Sequence, residues 1–517
     1  MTLRRQATVG VFWIGVSTAV NNFFNFAIRY ILARMLFPAD FGLISMAYIA
    51  IDFLEMFREM GFSAALIYRK GDIRKAADTT FVLLLLIATL LFLTLFLSAP
   101  AVAGFFRTPE LTAVLRVLSF NILISSLGQV PLSLLAKNLA FRERLLPDLV
   151  PTLSYGVVAI FCALMGLGVW SLVIARLVDS ILTAVLAWVV VPWWRPRLRF
   201  DRQEAKELFD YGKHILGSSV LIFAITKLDN IFVGRVLGDA QLGYYDFAYN
   251  QANLPATQIS RIVGQVLFPA YSKMQDDIAA LRSAFFKTLH YIGLLSIPVA
   301  IGMTVFAGPF IYTLYGDKWA PAIVPLQVLG IYGLLRSLAV NMGSVFRAGG
   351  KPQWLTSIAL LRLAVMGIFL YPSARYFGIV GVSVFSAAVS IVDFVLSAVL
   401  TNRIIHAHLR DYTRSLWVAV TFSLVSAGAA SWAYTRISAA HGFIGLMMAG
   451  IIMVLFYAMF VLIFDQEVRV MASSALSATG RLGKDWMGNG TTLSGDQTSE
   501  TSSDAEKPTP PPAQQEG

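Results

Sequence analysis

Long runs without a single charged residue constrain this chain more than any other feature. Four of them cover residues 79–99, 291–315, 415–435 and 442–464. Each holds at least the roughly 20 residues that a helix needs to cross the hydrocarbon core of a bilayer. The runs are apolar on every face, whereas a membrane β-barrel shows segments of about 10 residues in which apolar and polar positions alternate. The sequence therefore predicts an all-α polytopic membrane protein.

The overall composition agrees with that prediction. Only 14% of the residues are charged and the mean hydropathy is +0.68, whereas about a quarter of the residues of a water-soluble protein are charged. The first apolar run is long and lacks a small-residue cleavage site, so we do not expect a cleavable signal peptide. The hydropathy pattern predicts about fourteen spans, near residues 7–33, 41–66, 79–104, 111–136, 146–166, 169–192, 211–236, 241–270, 286–314, 320–346, 354–374, 378–402, 414–435 and 442–464.

The net charge of +11 is distributed unevenly between the connections. Basic residues concentrate in alternate connections and at both ends; the segment 193–210 alone contains Arg195, Arg197, Arg199, Arg202 and Lys206. By the positive-inside rule, these connections and both termini are expected in the cytoplasm. The basic balance thus indicates topology and attraction to anionic lipid headgroups, and we expect no nucleic-acid partner.

Part of the sequence is repeated. Residues 31–42 return, with a shift of 201 positions, as residues 232–243, so that Arg34 and Gly42 match Arg235 and Gly243. Six predicted spans precede the second copy, and an even number means that both copies enter the membrane from the same side. We therefore predict two parallel six-helix repeats, with a central cavity between them and two additional C-terminal transmembrane helices.

The predicted domain organisation follows from this repeat. We expect an N-lobe over residues 1–192, a basic cytoplasmic linker over 193–210 and a C-lobe over 211–402. The two additional spans occupy 403–464, and a cytoplasmic tail occupies 465–517. After about residue 488 the tail is rich in Gly, Ser, Thr and Pro, which predicts disorder.

Several predicted spans carry polar residues on one face. Asn22, Asn25 and Arg29 recur at helical spacing in the first span, as do Asp52, Glu55 and Glu59 in the second. The spans at the corresponding positions of the second copy contain Lys227, Asp229, Asn250, Asn253 and Arg261, and the tenth span contains Arg336. Charged residues retained at membrane depth usually line a cavity.

Two interpretations of these charges remain open. We favour a cavity-lining role for Arg29, Arg58, Lys227, Arg261 and Arg336, and structural pairing for Arg176, Asp179, Arg362 and Asp393. For Asp52, Glu55 and Asp229, ion coupling and pairing with the cations are equally expected.

Catalytic and metal chemistry find little support in the sequence. Cys162 is the single cysteine and lies in an apolar span. His406 and His408 are spaced so that they face different sides of a helix, which disfavours metal ligation. We expect no catalytic residues, no metal and no bound cofactor, and hence a transporter rather than an enzyme.

With these residues in view, the chain resembles polysaccharide-exporting flippases of the Wzx type. These belong to the superfamily that includes multidrug and toxin extruders and the peptidoglycan lipid flippase. The resemblance covers about residues 1–465 and depends on the segments 31–42, 61–67, 228–238, 242–245, 268–272 and 315–319.

The resemblance implies two facing lobes that move an undecaprenyl-pyrophosphate-linked oligosaccharide across the bacterial inner membrane by alternating access. It implies substrate binding in a cationic cavity by Arg29, Arg58, Lys227, Arg261 and Arg336, to which we add Asn25 and Asn253. Proton or sodium coupling through Asp52, Glu55 or Asp229 is expected, as are a polysaccharide polymerase and a chain-length regulator as partners. The alternatives are a cation-coupled multidrug antiporter and, less favoured, a membrane polysaccharide polymerase or ligase.

Overall fold

The computed structural model describes residues 3–68, 73–437 and 442–470. Within these ranges, the side chains of residues 3–17, 19, 141, 211, 213–215 and 259–266 are not described. The predicted disordered tail after residue 488 lies outside the described residues. Residues up to Tyr457 form one compact unit, and the described residues that follow belong to a second unit.

The described residues form α-helices, with one π-helical and one 3-10 segment and no strand. This confirms the all-α class. In chain order the helices are α1 (Leu3–Met35), α2 (Pro38–Glu59), α3 (Phe62–Tyr68), α4 (Ile73–Phe106), α5 (Leu111–Lys137), α6 (Phe141–Leu164), α7 (Val169–Val190), α8 (Arg202–Leu237), α9 (Asp239–Ser272), α10 (Ile278–Phe310), α11 (Ile323–Ala348), α12 (Gln353–Ile405), α13 (Leu409–Ile437) and α14 (Gly442–Phe464).

Nine of the described helices are long and apolar enough to cross a membrane, fewer than the predicted fourteen spans. Helices α1, α2, α8 and α9 are not among the nine; α2 and α8 contain charged residues such as Asp52 and Lys227. Two predicted spans, 354–374 and 378–402, are joined in α12, which has non-helical torsion angles at Gly378 (φ 61°, ψ −153°). Only glycine adopts such a conformation readily, so α12 contains a break where the sequence predicts two spans.

The two copies of the repeated segment pack against each other at the N-terminal ends of α2 and α9. A Cβ atom on Gly42 would lie 1.8 Å from the backbone oxygen of Asp239, and one on Gly243 would lie 1.9 Å from that of Pro38. Pro38 and Asp239, like Gly42 and Gly243, are related by the shift of 201 positions. The contact is therefore reciprocal, and only glycine permits so close an approach of the two backbones.

Helix ends near this contact are capped by side chains from the other repeat. Arg34 donates to the carbonyl of Thr313, and Arg235, its counterpart, donates to that of Phe105. Lys318 Nζ donates to the carbonyls of Arg34 and Leu36 at 2.7 Å each. These bonds satisfy carbonyls that a helix C-terminus leaves without intrahelical partners, and they tie the two repeats together at this end.

Candidate functional site

A cavity of about 590 Å³ is lined on one side by α1, α2, α5, α6 and α7 and on the other by α8 and α9. Asn25, Arg29, Asp52, Glu55 and Lys227, all predicted site residues, line it. Tyr315 and Trp319 also contribute to its wall; both are buried, and the Trp319 indole donates to the carbonyl of Ala33 at 2.9 Å. The cavity thus extends to the end at which α2 and α9 meet.

About one helical turn from the contact between Gly42 and Gly243, hydrogen bonds connect α2, α8 and α9. Ser45 Oγ donates to Asp246 Oδ2 at 2.9 Å, and these two residues are again related by the shift of 201 positions. Asn230 Nδ2 donates to the other carboxylate oxygen of Asp246, also at 2.9 Å. Both oxygens of Asp246 therefore accept a bond within the cavity wall, which fixes its orientation.

The first half of the chain contributes a charged cluster that faces the cavity. Arg176 Nη1 lies 2.9 Å from Asp179 Oδ2 on α7, and both residues line the cavity together with Tyr48, Tyr155 and Glu55. The sequence predicts structural pairing for Arg176 and Asp179. The structure shows that pair, and it also places both side chains at the cavity wall.

An ion pair crosses the cavity between the two halves. Lys227 Nζ on α8 lies 2.9 Å from Asp52 Oδ2 on α2, with 29% and 40% of the two side chains exposed. The aromatic rings of Phe53 and Phe223, also on α2 and α8, are 5.5 Å apart between centroids. Lys227 and Asp52, which the sequence assigns to substrate binding and to ion coupling, are thus partners.

Arg29 differs from the other cavity cations. Its side chain is exposed at the cavity, and within the described part of the chain it has no carboxylate partner. Asn25, one helical turn earlier, donates to the carbonyl of Asn21 at 2.9 Å. Arg29 is therefore the cavity cation that is available to an anionic ligand without displacing a carboxylate.

Three predicted substrate-binding residues do not line the cavity. Arg58 is buried, donates to Ser125 Oγ at 2.8 Å and lies 3.7 Å from Glu55 Oε1. Arg336 donates to Tyr249 and Asn253 at 3.3 and 3.2 Å, which keeps both Arg336 and Asn253 within the C-terminal half. A polar helix face can be satisfied by a neighbouring helix as well as by a cavity, and in these cases the neighbour provides the partner.

The structure locates Asp229 but leaves the side chain of Arg261, the other remaining predicted residue of the second half, outside the described residues. Asp229 is buried away from the cavity, where it accepts from the Tyr245 hydroxyl at 2.8 Å and from the backbone of Asn230 at 2.9 Å. Arg261 lies in α9, and its side chain is outside the described residues. Its assignment stays a prediction.

Arg336 belongs to a buried polar cluster in the second half. Arg362 donates to the Tyr332 hydroxyl at 2.8 Å and lies 3.7 Å from Asp393 Oδ2. The hydroxyls of Tyr332 and Tyr249 are 3.3 Å apart. This cluster connects α9, α11 and α12 and does not line the cavity.

The described cavity wall carries one more carboxylate than cations, which corrects the prediction of a cationic cavity. Its described lining contains three cations, Arg29, Arg176 and Lys227, and four carboxylates, Asp52, Glu55, Asp179 and Asp246. Two of the cations pair with two of the carboxylates at 2.9 Å. Among the described residues, no cluster of His, Cys, Asp and Glu is placed to hold a metal ion.

Sequence reasoning missed Tyr48, Tyr155 and Asp246 as cavity residues. The available signal was the repeat itself, because Ser45 and Tyr48 match Asp246 and Tyr249 at the shift of 201 positions. Trp319 carries no such signal, since the 3-10 segment Asp317–Ala322 that positions it lies in the connection between two predicted spans and overlaps only the start of the second.

Comparison with known proteins gives matches across most of the chain. The sequence profile of a family described as "Polysaccharide biosynthesis protein" matches residues 31–324, more than half of the chain. The teichuronic acid biosynthesis protein TuaB of Bacillus subtilis (strain 168) is 28% identical over 421 residues, covering 80% of this chain and 86% of that protein. The lipopolysaccharide biosynthesis protein WzxC of Escherichia coli (strain K12) is 24% identical over 430 residues, covering 82% and 87%.

A solved structure shares the fold. The lipid II flippase MurJ, in an inward closed conformation, superimposes with a TM-score of 0.70 over 89% of this chain and 99% of that one, at 16% sequence identity. At that identity the likeness shows the fold, an all-α polytopic membrane architecture, and not the substrate.

Proposed function

Because this chain belongs to the polysaccharide biosynthesis protein family, we propose that it is a flippase that moves a lipid-linked oligosaccharide across a bacterial inner membrane. It is a multi-pass membrane protein with the fold of a transporter. In this proposal the lipid is undecaprenyl pyrophosphate, both termini are cytoplasmic, and the two halves alternate in opening the cavity to either side. A polysaccharide polymerase and a chain-length regulator are proposed partners.

The observation that carries the proposal is Arg29, which lies in a cavity between the two repeats and has no carboxylate partner among the described residues. A pyrophosphate or an acidic sugar presents several oxygens, and the planar guanidinium of an arginine donates to such oxygens in pairs. Arg29 provides this group without first losing a carboxylate partner among the described residues. Asn25 and Asn250, which also line the cavity, offer neutral donors and acceptors to sugar hydroxyls.

The reciprocal contacts at Gly42 and Gly243 support alternating access. They close the cavity at one end through backbone approach and interhelical hydrogen bonds. Moving a lipid-linked oligosaccharide across the membrane needs no covalent step, so the function that we propose is that of a transporter rather than an enzyme. Coupling to protons or sodium is part of the proposal, with Asp52 and Glu55 as the candidate carboxylates at the cavity.

A gene deletion in the host tests this function. We expect lipid-linked repeat units to accumulate on the cytoplasmic face and surface polysaccharide to disappear. Complementation with Arg29→Ala should fail to restore surface polymer, whereas Arg414→Ala, an exposed arginine on α13, should restore it. An unchanged pool of lipid-linked units would refute the function; full activity of Arg29→Ala would refute the site.

The four cavity carboxylates support a second candidate, a multidrug antiporter. An organic cation would find Asp52, Glu55, Asp179 and Asp246 in the wall. In that case the deletion should raise sensitivity to cationic drugs and leave surface polysaccharide intact.

A further inference from the structure

The paired cavity cations differ in what an anionic ligand disrupts when it binds them. Arg176 and Asp179 lie three residues apart on one helix and hold each other within the first half of the chain. Lys227 and Asp52 lie on α8 and α2, so their ion pair joins the two halves. A ligand that captures Lys227 therefore alters a link between the halves, whereas one that captures Arg176 alters a contact within a single helix.

The Lys227–Asp52 pair is accessible from the cavity. Its side chains are 29% and 40% exposed, and both line the cavity wall. Ion pairs that remain in contact with water are weak, because solvent competes for both charges. An ammonium group on a flexible stem can turn from a carboxylate to a phosphate oxygen without movement of its helix.

An apolar contact also joins α2 and α8 next to the Lys227–Asp52 pair. Phe53 and Phe223 pack with ring centroids 5.5 Å apart, and this contact does not respond to charge. Once Lys227 has turned to another anion, the charge-dependent part of the α2–α8 contact is lost and Asp52 faces the cavity without its cation. Glu55, one turn further along α2, also lines the cavity, so two carboxylates then lie close together.

We propose that an anionic headgroup, bound first by Arg29, takes Lys227 from Asp52 and so breaks the cross-cavity ion pair between the two halves. This exchange makes loosening of the α2–α8 contact depend on the presence of cargo. The proposal rests on the flippase function proposed above and adds to it the step by which bound cargo is sensed.

Binding of inorganic pyrophosphate to the purified full-length protein tests the exchange. Asp52→Asn removes the competing carboxylate and should tighten pyrophosphate binding about two- to five-fold, as expected for loss of an exposed ion pair. The charge-swapped variant Asp52→Lys with Lys227→Asp retains a cross-cavity pair but should lose this gain. Glu59→Gln, on the same helix but outside the cavity lining, is the matched control and should bind like the wild type.

A distance measurement tests the effect on the two halves. Spin labels at positions 67 and 222, the second of them on α8 and both exposed in the structure, are introduced together with Cys162→Ser, which removes the single native cysteine. Pyrophosphate should lengthen the distance in the wild-type background, Asp52→Asn should show the longer distance without pyrophosphate, and the charge-swapped variant should keep the shorter one.

The outcomes separate this exchange from the proposed function. If Asp52→Asn binds pyrophosphate with wild-type affinity, or if its distance equals that of the unliganded wild type, the exchange is wrong. The flippase function then stands as long as the deletion strain accumulates lipid-linked units. If wild-type protein does not bind pyrophosphate and the deletion leaves the pool unchanged, the proposed function itself fails.

Discussion

The two halves of this protein use the same kind of residues in opposite ways. Tyr48 and Tyr249 occupy equivalent positions of the repeat. Tyr48 lines the cavity beside Arg176 and Asp179, whereas Tyr249 is buried against Tyr332. In the first half, the tyrosine and the ion pair are thus accessible to a ligand in the cavity. In the second half, the equivalent tyrosine and its charged neighbours are packed between helices.

Solvent access explains what this difference means energetically. Charges that face a hydrated cavity retain part of their hydration, so their pairing contributes little to stability. Charges enclosed between helices have lost that hydration, and removal of one partner leaves the other uncompensated. We therefore expect substitutions in the buried cluster to affect folding and those at the cavity to affect transport.

The largest effect on stability is expected for Arg362→Ala in the buried cluster. Arg362 donates to Tyr332 and lies near Asp393 with only 12% of its side chain exposed. Its removal should lower the free energy of unfolding by about 3 kcal/mol, because the buried Tyr332 hydroxyl loses its donor and the partly buried Asp393 loses its cation. Thermal unfolding in detergent measures the loss, and Arg375→Ala, an exposed arginine of the same helix, is the control. Equal melting temperatures for the two variants would contradict the comparison.

A matched pair of tyrosine substitutions gives the next effect. Tyr249→Phe removes the hydroxyl that contacts Tyr332 and Arg336 and should cost about 1–2 kcal/mol of stability. Tyr48→Phe should leave the stability unchanged, since within the described residues no hydrogen bond of its hydroxyl is present. The two unfolding curves, recorded side by side, decide the point. A larger loss of stability for Tyr48→Phe than for Tyr249→Phe would contradict the conclusion that the tyrosine of the second half is the structural one.

Arg176→Gln should separate transport from folding. Its side chain is 39% exposed and its pair with Asp179 faces the cavity, so the loss of stability should stay below about 1 kcal/mol. Surface polysaccharide in a complemented deletion strain should nevertheless decrease, because the cavity then contains one cation fewer. Membrane abundance of the variant is the control. If Arg176→Gln exports polysaccharide at the wild-type level and normal abundance, Arg176 is not part of the functional site.

The smallest effect concerns an ion pair outside both clusters. Asp411 lies in the first turn of α13. It accepts a hydrogen bond from the backbone of His408 at 2.9 Å and lies 2.6 Å from Arg282. The backbone bond from His408, together with Arg282, lowers the pKa of Asp411 below its usual value. A carboxyl with a lowered pKa in the folded state stabilises the fold above the unfolded pKa of about 4 and loses that contribution as the pH falls further.

The melting temperature of the wild type should therefore decline slightly more steeply below about pH 4 than that of Asp411→Asn. Asp276→Asn, an exposed carboxylate between α9 and α10, serves as the control. Identical acid profiles for the wild type and Asp411→Asn would show that this pair contributes nothing.

The sequence alone determined the class of fold, the helical segments and the internal repeat. Run length and the need to satisfy backbone hydrogen bonds in lipid are local properties, which a single segment reveals. The repeat predicted that Gly42 and Gly243 are equivalent, and the structure places them in one reciprocal contact. Gly378 likewise separates two predicted spans where α12 has its break.

Only the tertiary structure decided which polar residues meet. A polar face at helical spacing shows that a helix has a hydrophilic neighbour and does not say whether that neighbour is a cavity or another helix. Arg29 and Lys227 face the cavity, whereas Arg58 and Arg336, which look equivalent in the sequence, are bound within their own halves. The charge balance of the cavity depends on residues brought together from distant helices, and pairing of this kind arises only when the chain has folded.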